Sequence, residues 1–198
     1  MAKRSNGHAS VVIVLMPDGD GLLGIPIVRD PTHSKPLWKF PGGKGDENET
    51  GAETASRELE EETGIDVPAS SFQTKNLIGS EKSKKRAVHT PDGTFVETEY
   101  HLFYPYYILL PEFRELKEKG DEGEAVFFAH IQDILLSKEK FLADHYHLLI
   151  EFLEIRAVEM RNFFSELRID FSKAHPANCA YAAAMQDRRI FYDHLSNT

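Results

Sequence analysis

The stretch FPGGKGDENETGAETASRELEEETGI, residues 40–65, joins two neighbouring glycines to a crowd of acidic side chains, because four of the five residues from Glu58 to Glu62 are glutamates. The flanking residues predict a helix. Thr50-Gly51-Ala52-Glu53 has the spacing of a capping box, and Gly64 suits the position that ends a helix. Glu58, Glu61 and Glu62 then lie at i, i+3 and i+4, so three carboxylates share one face.

Carboxylates this close destabilise a fold unless a cation lies among them. Their hard oxygen atoms suit Mg²⁺ or Mn²⁺, and magnesium commonly shares its shell with substrate phosphates. The glycines before the helix let the backbone approach such a site, and Arg57 is placed to hold the Glu58 carboxylate. These residues indicate metal-assisted chemistry on a phosphate compound, although a glutamate-rich helix is more often a solvated surface.

The composition limits the class of protein. The chain has 198 residues, of which 41% are hydrophobic and 28% charged, as expected for one globular domain. Its net charge of −9 gives no general attraction to nucleic acid or to an anionic membrane, so neither is an expected partner. The single cysteine, Cys179, rules out an internal disulfide and fits the cytoplasm, which is the expected location. The N-terminus has no apolar segment typical of a secretory signal.

Apolar runs and turn residues predict the remaining elements. The predicted strands are Val11–Met16, Leu22–Val28, Leu37–Phe40, Leu77–Val88, Phe95–Leu110 and the segment AVFFAH at 125–130. From Ser137 to about Leu167 the spacing is helical, with an apolar face formed by Phe141, Leu148, Leu149, Phe152, Leu153 and Ile155. Residues 175–195 are predicted to form one further helix. The pattern predicts an α/β or α+β sandwich, with a mixed sheet between helices.

The spacing from Gly43 onward follows the pattern G-x5-E-x7-R-E-U-x-E-E-x-G-U, where U is a bulky apolar residue. Its fixed positions are Gly43, Glu49, Arg57, Glu58, Leu59, Glu61, Glu62, Gly64 and Ile65. This segment resembles the Nudix box of the Nudix hydrolase family, and the preceding FPGG resembles that family's usual lead-in. The resemblance implies a Nudix-like sandwich over residues 1–136. Residues 137–198 are then a helical extension packed on the same domain.

The resemblance also implies an activity. Nudix enzymes cleave a phosphoanhydride bond in a nucleoside diphosphate linked to a group X, with Mg²⁺ or Mn²⁺ as cofactor. The residues implied to bind metal are Glu58, Glu61, Glu62 and the carbonyl of Gly43. Glu58, Arg57 and Glu61 are the implied catalytic residues: Glu58 is the candidate base and Arg57 orients it. Glu49 is expected to support the loop and the start of the helix, by pairing with Arg57.

Many family members add a distant carboxylate as a base or an extra metal ligand, and the box does not locate it. A glutamate shortly before a strand with aromatic residues fits this role. Glu122 is the preferred residue and Glu124 the reserve, since both precede the predicted strand at 125–130. Glu97 and Glu99 on the long hairpin are rivals, and each of the four is also explained as a plain surface carboxylate.

The substrate is a small-molecule nucleotide, either a nucleoside triphosphate or a nucleotide sugar such as ADP-ribose. The residues predicted to contact it are Arg29, Trp38, Phe40 and Lys44. Trp38 and Phe40 are suited to stack on a base, but both are equally typical of a core, which is the better interpretation for Phe40. Arg29 is as typical of a solvated loop. The alternative function is a Nudix-fold nucleotide-binding or sensor module with little turnover. The C-terminal helices are assigned to packing on the sheet, capping the pocket or forming a homodimer contact.

Overall fold

The computed structural model describes residues 7–29, 36–79, 82–89 and 95–166, with the backbone alone at 82–89 and 95–101. The strands are β1 (His8–Pro17), β2 (Leu23–Arg29), β3 (Gly42–Lys44), β4 (Lys82–His89), β5 (Phe95–Leu109) and β6 (Ala125–His130). The helices are α1 (Gly51–Thr63), α2 (Ile131–Leu136), α3 (Ala143–Ile155) and α4 (Ala157–Glu166). Short 3-10 turns lie at Ala69–Ser71, Thr74–Asn76 and Lys138–Lys140.

Strand β1 is the centre of the sheet. The order across the sheet is β4-β5-β1-β2-β6, and β3 pairs with the first residues of β1. β1 runs parallel to β5, and the other pairs are antiparallel. The sheet is therefore mixed, as predicted. The predicted hairpins are confirmed for β1–β2 and β4–β5, although the turn between β4 and β5 lies outside the described residues. Strand β4 begins at Lys82 instead of Leu77, which makes only a single bridge to Tyr106.

Both faces of the sheet are covered, and the side chains of β1 alternate between them. Val11, Ile13 and Leu15 join a core with α2, α3 and α4. Val12, Val14 and Met16 join a second core with α1 and the segment that follows it. Because every side chain from Val11 to Met16 is at most 4% exposed, the strand appears in the sequence as one continuous apolar run. The predicted sandwich of helices around a mixed sheet is confirmed.

Helix α1 begins and ends as its sequence predicts. The Thr50 hydroxyl accepts a hydrogen bond from the Glu53 backbone N–H, and the Glu53 carboxylate accepts one from the Thr50 N–H. Gly64 adopts the left-handed conformation with φ of 81° and ends the helix. Ala55 and Leu59 are 0% exposed against the sheet, which turns the glutamate face away from the core.

The structure differs from the prediction at residues 37–44 and at residues 131–136. Leu37–Phe40 was expected to be a strand, but it contains only single bridges, from Lys39 to Val28 and from Trp38 to Phe141. Successive residues pair with different partners, so no ladder extends. The strand forms two residues later at β3, within the glycine segment itself. Helix α2 was not predicted, because its six residues are too few for a periodic signal.

The helical region after residue 136 packs on the sheet. Phe141, Leu148, Leu149, Phe152 and Leu153 are at most 4% exposed in the same core as β1, whereas Ile155 is 47% exposed. The assignment of Ile155 to the apolar face was therefore wrong, because the last residue of α3 turns toward solvent. The helix predicted from Ser137 begins instead at Ala143, after the 3-10 turn at Lys138–Lys140, and it is divided into two helices at Arg156. The helix predicted at 175–195 lies outside the described residues.

No helix in the described part of the chain has the length and the apolar character needed to cross a bilayer. The most apolar stretch in the sequence, at 100–110, lies almost entirely within strand β5.

Phe152→Ala tests whether α3 belongs to the main core. Phe152 is 0% exposed and its ring centroid lies 5.3 Å from that of Tyr107 on β5. We expect the free energy of unfolding to fall by about 3–5 kcal/mol in urea titrations, from lost burial plus the cavity that remains. Ile155→Ala, on the same helix, should cost less than about 1 kcal/mol. An equal fall in the free energy of unfolding in the two variants would contradict the packing of Phe152 in the core.

Candidate active site

The box glutamates face an open cleft of about 580 Å³ between β3, the exposed side of α1 and the loop before β6. It is lined by Lys39, Gly42, Gly43, Lys44, Asp46, Arg57, Glu58, Glu61, Glu62, Asp121, Glu122 and Glu124. The structure thus brings together every residue that the sequence analysis assigned to metal binding or catalysis. It also places Lys44 among them.

Arg57 is the centre of the hydrogen-bond network in this cleft. Its Nε and Nη2 each donate to Glu49 at 2.9 Å, and Nη2 also donates to the Lys44 carbonyl at 3.0 Å. Its Nη1 donates to Glu58 at 3.0 Å and to Glu61 at 2.9 Å. These five bonds match the five N–H donors of a guanidinium. One side chain therefore joins the loop before α1 to two glutamates of the helix.

These contacts shift the pKa values in opposite directions. Hydrogen bonds from Arg57 lower the pKa of Glu49 to about 2, although partial burial opposes them. The same bonds raise the pKa of Arg57, so the guanidinium stays charged. Burial raises the pKa of Glu58, and the nearby charge of Arg57 opposes that rise. Glu49 is thus a fixed anion, whereas Glu58 has a higher proton affinity than an ordinary glutamate.

Glu62 is the most buried glutamate of the box, at 7% exposure. Its Oε2 accepts the Gly42 backbone N–H at 2.7 Å, and its Oε1 accepts the Lys39 ammonium at 2.7 Å. Lys39 Nζ also donates to the Gly42 carbonyl at 3.2 Å. Burial raises the pKa of Glu62, and Lys39 opposes that rise. The glycine turn and the helix are therefore held together through this carboxylate.

Close approach explains why glycines precede the helix. A Cβ at Gly43 would lie 2.5 Å from a Glu58 carboxylate oxygen. Gly42 has φ of 146°, and a Cβ there would collide with the backbone of Ser10 and Val11. A side chain at Gly42 would push the turn away from β1, and one at Gly43 would displace the Glu58 carboxylate, so glycine at both positions allows this close approach.

Glu124 differs from Glu122, the residue that the sequence analysis preferred. Glu122 is exposed, whereas Glu124 is 6% exposed, and its Oε2 has no hydrogen-bond partner among the described residues. A Cβ at Gly120 would lie 2.5 Å from that oxygen and 3.2 Å from the Glu62 Cα, which places the two glutamates side by side. A buried carboxylate without a partner is costly unless a proton or a cation joins it. The side chains of Glu97 and Glu99 lie outside the described residues.

The residues predicted to contact substrate are divided between two places. Lys44 is exposed at the glutamate cleft. Trp38 lines a second, smaller cleft of about 200 Å³ together with Phe127, and the Arg29 guanidinium lies 4.7 Å from the Trp38 ring centroid. Phe40 is a core residue instead of a substrate contact, because its side chain is 0% exposed and packs on Phe141.

Residues 140–145 position the backbone of residues 38–40, which leads into the glycine turn. The Trp38 N–H donates to the Lys140 carbonyl at 2.8 Å, and the Leu142 N–H donates to the Trp38 carbonyl at 2.9 Å. The Phe40 N–H donates to Nδ1 of His145, a buried side chain of α3, at 2.9 Å. The backbone that leads into the glycine turn is therefore held from both sides, by β2 and by residues 140–145.

The sequence model of the NUDIX domain matches residues 7–152. The chain belongs to the Nudix family. The match crosses residue 136 and reaches into α3, while the division of the chain at that residue stays a prediction. An 8-oxo-dGTP diphosphatase of Proteus vulgaris is 53% identical over 36 residues, which are 18% of this chain and 32% of that protein. The chain thus matches about a third of the length of this curated relative.

Solved structures with the same Nudix fold are more distant in sequence. A MutT/nudix family protein from Enterococcus faecalis has a TM-score of 0.55 at 18% identity, over 85% of this chain and 69% of that one. The NUDIX domain of NrtR from Shewanella oneidensis, solved with ADP ribose, has a TM-score of 0.54 at 17% identity, over 77% and 89%. A bifunctional NMN adenylyltransferase/ADP ribose pyrophosphatase from Francisella tularensis, solved with AMP and a Mn ion, has a TM-score of 0.51 at 22% identity, over 78% and 43%.

The donor set of this Nudix cleft fits a divalent cation. It offers hard carboxylate oxygens and the buried, unpaired Oε2 of Glu124, the ligand type that Mg²⁺ and Mn²⁺ prefer. Within the described residues, no three His, Cys, Asp or Glu side chains are arranged as a ready metal site. Arg57 and Lys39 instead form ion pairs with Glu58, Glu61 and Glu62 in this conformation.

Sequence reasoning missed Lys39, which the structure places on Glu62. The only available signal was the alternation of aromatic and polar side chains in Leu37–Phe40. In the structure, Trp38 and Phe40 lie on the α3 side of this segment and Lys39 lies on the side of the glutamates. Alternation predicts that Lys39 is opposite the aromatic residues. It does not predict which carboxylate the lysine meets, because that depends on how the turn folds onto α1.

Glu49→Gln tests the anchoring role of the Glu49–Arg57 pair without added metal. Since the folded-state pKa of Glu49 is lowered to about 2, its ionic contribution is fully present above the unfolded value near pH 4.5 and is lost as the pH falls toward 2. We expect the variant to be about 1–3 kcal/mol less stable near pH 6, with the difference shrinking below about pH 4.5. Urea unfolding at several pH values measures this difference. The exposed Glu47→Gln is the matched control, and a difference that does not change with pH would refute the assignment.

Proposed function

We propose that the protein is a Mg²⁺- or Mn²⁺-dependent Nudix pyrophosphohydrolase that cleaves a phosphoanhydride bond in a nucleoside diphosphate linked to X. The observation that carries the proposal is the convergence of the box glutamates with Glu124 and two lysines in one cleft. Anionic ligands for a metal and cations for a phosphate chain are both present there.

The proposed metal-binding residues are Glu58, Glu61, Glu62 and the carbonyl of Gly43. A bound divalent cation supplies Lewis-acid polarisation of a phosphate oxygen and lowers the pKa of bound water. Arg57 orients Glu58 and Glu61, because its Nη1 donates to both. Glu58 is the proposed base within the box, since its carboxylate is largely buried beside Gly43 and has a raised pKa.

The proposed distant carboxylate is Glu124 in place of Glu122. Both line the cleft, but Glu124 is buried beside Glu62 and has an oxygen without a partner, whereas Glu122 is exposed to water. A buried carboxylate is a better-oriented ligand than an exposed one, since its position is fixed by packing. Glu124 is therefore the proposed additional metal ligand or base.

The proposed substrate contacts are Lys44 for the phosphates and Trp38 with Arg29 for the nucleoside. Lys44 supplies a point charge at the mouth of the cleft. Trp38 presents an aromatic face beside Phe127 in the smaller cleft, where a base has room to stack. The guanidinium of Arg29 lies close to the same ring.

Two classes of substrate are supported by the relatives. The Proteus vulgaris diphosphatase acts on 8-oxo-dGTP, and its similarity is confined to 36 residues. The Shewanella domain was solved with ADP ribose, and the Francisella protein is an ADP ribose pyrophosphatase in part. Nucleoside triphosphates and nucleotide sugars are therefore both proposed. The cytoplasmic location and a homodimer through the C-terminal helices stay predictions, and residues 167–198 lie outside the described part.

A hydrolysis panel with identified products tests the proposed activity. It contains nucleoside triphosphates, oxidised purine triphosphates, ADP-ribose and other nucleotide sugars, each with Mg²⁺ or Mn²⁺. We expect wild type to turn over at least one of them, and Glu61→Gln to lower that turnover by about 100-fold or more, because a metal ligand is lost. A wild-type protein that binds a nucleotide but cleaves none would favour the alternative of a sensor module.

Glu124→Gln and Glu122→Gln form a matched pair for the distant carboxylate. We expect turnover to fall by about 100-fold in Glu124→Gln and to stay within about threefold of wild type in Glu122→Gln. The metal-free melting temperature of Glu124→Gln should not fall, because the substitution removes a buried carboxylate whose Oε2 makes no hydrogen bond. If Glu122→Gln lowers turnover more than Glu124→Gln does, Glu122 is the distant carboxylate.

A further inference from the structure

Lys39 makes the contacts that a metal ion would be expected to make at Glu62. Its ammonium lies 2.7 Å from Glu62 Oε1 and 3.2 Å from the Gly42 carbonyl, so two hard oxygen atoms from the turn and the helix meet one positive charge. The other oxygen of Glu62 is occupied by the Gly42 N–H. Both oxygens of this largely buried carboxylate are thus used by the chain itself.

A divalent cation that binds Glu62 must therefore replace the ammonium or share the carboxylate with it. Sharing places two positive charges a few ångströms apart, which is costly where the carboxylate is only 9% exposed. Displacement is cheap for a lysine, because its charge lies on a flexible four-carbon stem and its side chain is 26% exposed. Because Lys39 lines the same cleft as Lys44 and the glutamates, a displaced ammonium would remain at that cleft.

We propose that Lys39 is a built-in competitor for the metal site, which holds Glu62 in the metal-free protein and is released to the substrate phosphates when a divalent cation binds. This inference rests on the proposed function. Lys39 is then a positioning residue in the metal-free state and a phosphate contact in the loaded state. Metal binding and nucleotide binding are coupled through its movement.

Lys39→Met tests the competition. Mn²⁺ binding to the full chain is measured by calorimetry or by the electron paramagnetic resonance signal of free Mn²⁺. We expect the Kd for Mn²⁺ to tighten by about tenfold, since the internal rival is gone. The metal-free melting temperature should fall, because Glu62 loses its ion pair in a buried position, and the rise on adding Mn²⁺ should exceed that of wild type.

The second half of the proposal predicts an effect of opposite sign. At saturating Mn²⁺, the Kd of Lys39→Met for a non-hydrolysable nucleoside triphosphate analogue should weaken by about tenfold. Merely structural damage weakens both binding steps. Tighter metal binding together with weaker nucleotide binding is therefore the signature of a residue that moves between the two.

Two further variants serve as controls. Lys44→Met removes the same charge from the same cleft, where the Lys44 ammonium makes no ion pair with any described residue. We expect it to tighten Mn²⁺ binding by less than about threefold. Lys39→Arg keeps the charge, and its Kd for Mn²⁺ should stay within about threefold of the wild-type value. Lys39→Gln replaces Lys39→Met if the latter does not fold.

The outcomes separate this inference from the proposed function. If wild type binds Mn²⁺ and Lys39→Met binds it equally or more weakly, the competition is refuted and the metal site stands. If Lys39→Met tightens Mn²⁺ binding no more than Lys44→Met does, the effect is only one of net charge and the competition is again refuted. If neither wild type nor Lys39→Met binds Mn²⁺, the metal site itself fails, and with it both proposals.

Discussion

The five hydrogen bonds of Arg57 are the constraint on which the rest of the site depends. They connect the Lys44 carbonyl at the end of β3, and Glu49 in the loop before α1, to Glu58 and Glu61 on the helix. A lysine has three donors on a flexible stem and cannot reproduce this planar arrangement. Because the guanidinium is always charged, like-charged glutamates can lie one helical turn apart without separating the loop from α1.

The crowding of glutamates in the sequence has a physical explanation in two internal cations. Arg57 forms ion pairs with Glu58 and Glu61, and Lys39 forms one with Glu62, so part of the repulsion on this face is offset before any ligand arrives. The sequence pattern alone indicated that carboxylates this close need a cation among them, and of the two internal cations it identified only Arg57. The fold supplies those charges because β3 and the glycine turn bring Lys39 against the far end of α1.

Much of the site is predictable from spacing, since positions on a helix have a known period. The capping box, the shared face of Glu58, Glu61 and Glu62, and the place of Arg57 beside them all follow from local geometry. The choice between Glu122 and Glu124 does not follow, because a loop has no period and burial there is set by contact with Gly120 and Glu62. The hydrogen bonds between residues 38–40 and residues 140–145 were likewise unpredictable, because they join segments about a hundred residues apart in the chain.

Anomalous diffraction from crystals grown with Mn²⁺ determines whether the glutamates of α1 hold a divalent cation. We expect a peak about 2.0–2.3 Å from carboxylate oxygens of Glu61 and Glu62, with Lys39 moved away from Glu62. We also expect Arg57 to keep its bonds to Glu49. No peak at saturating Mn²⁺, or a peak remote from α1 with Lys39 still on Glu62, would show that the crowded glutamates do not form a metal site.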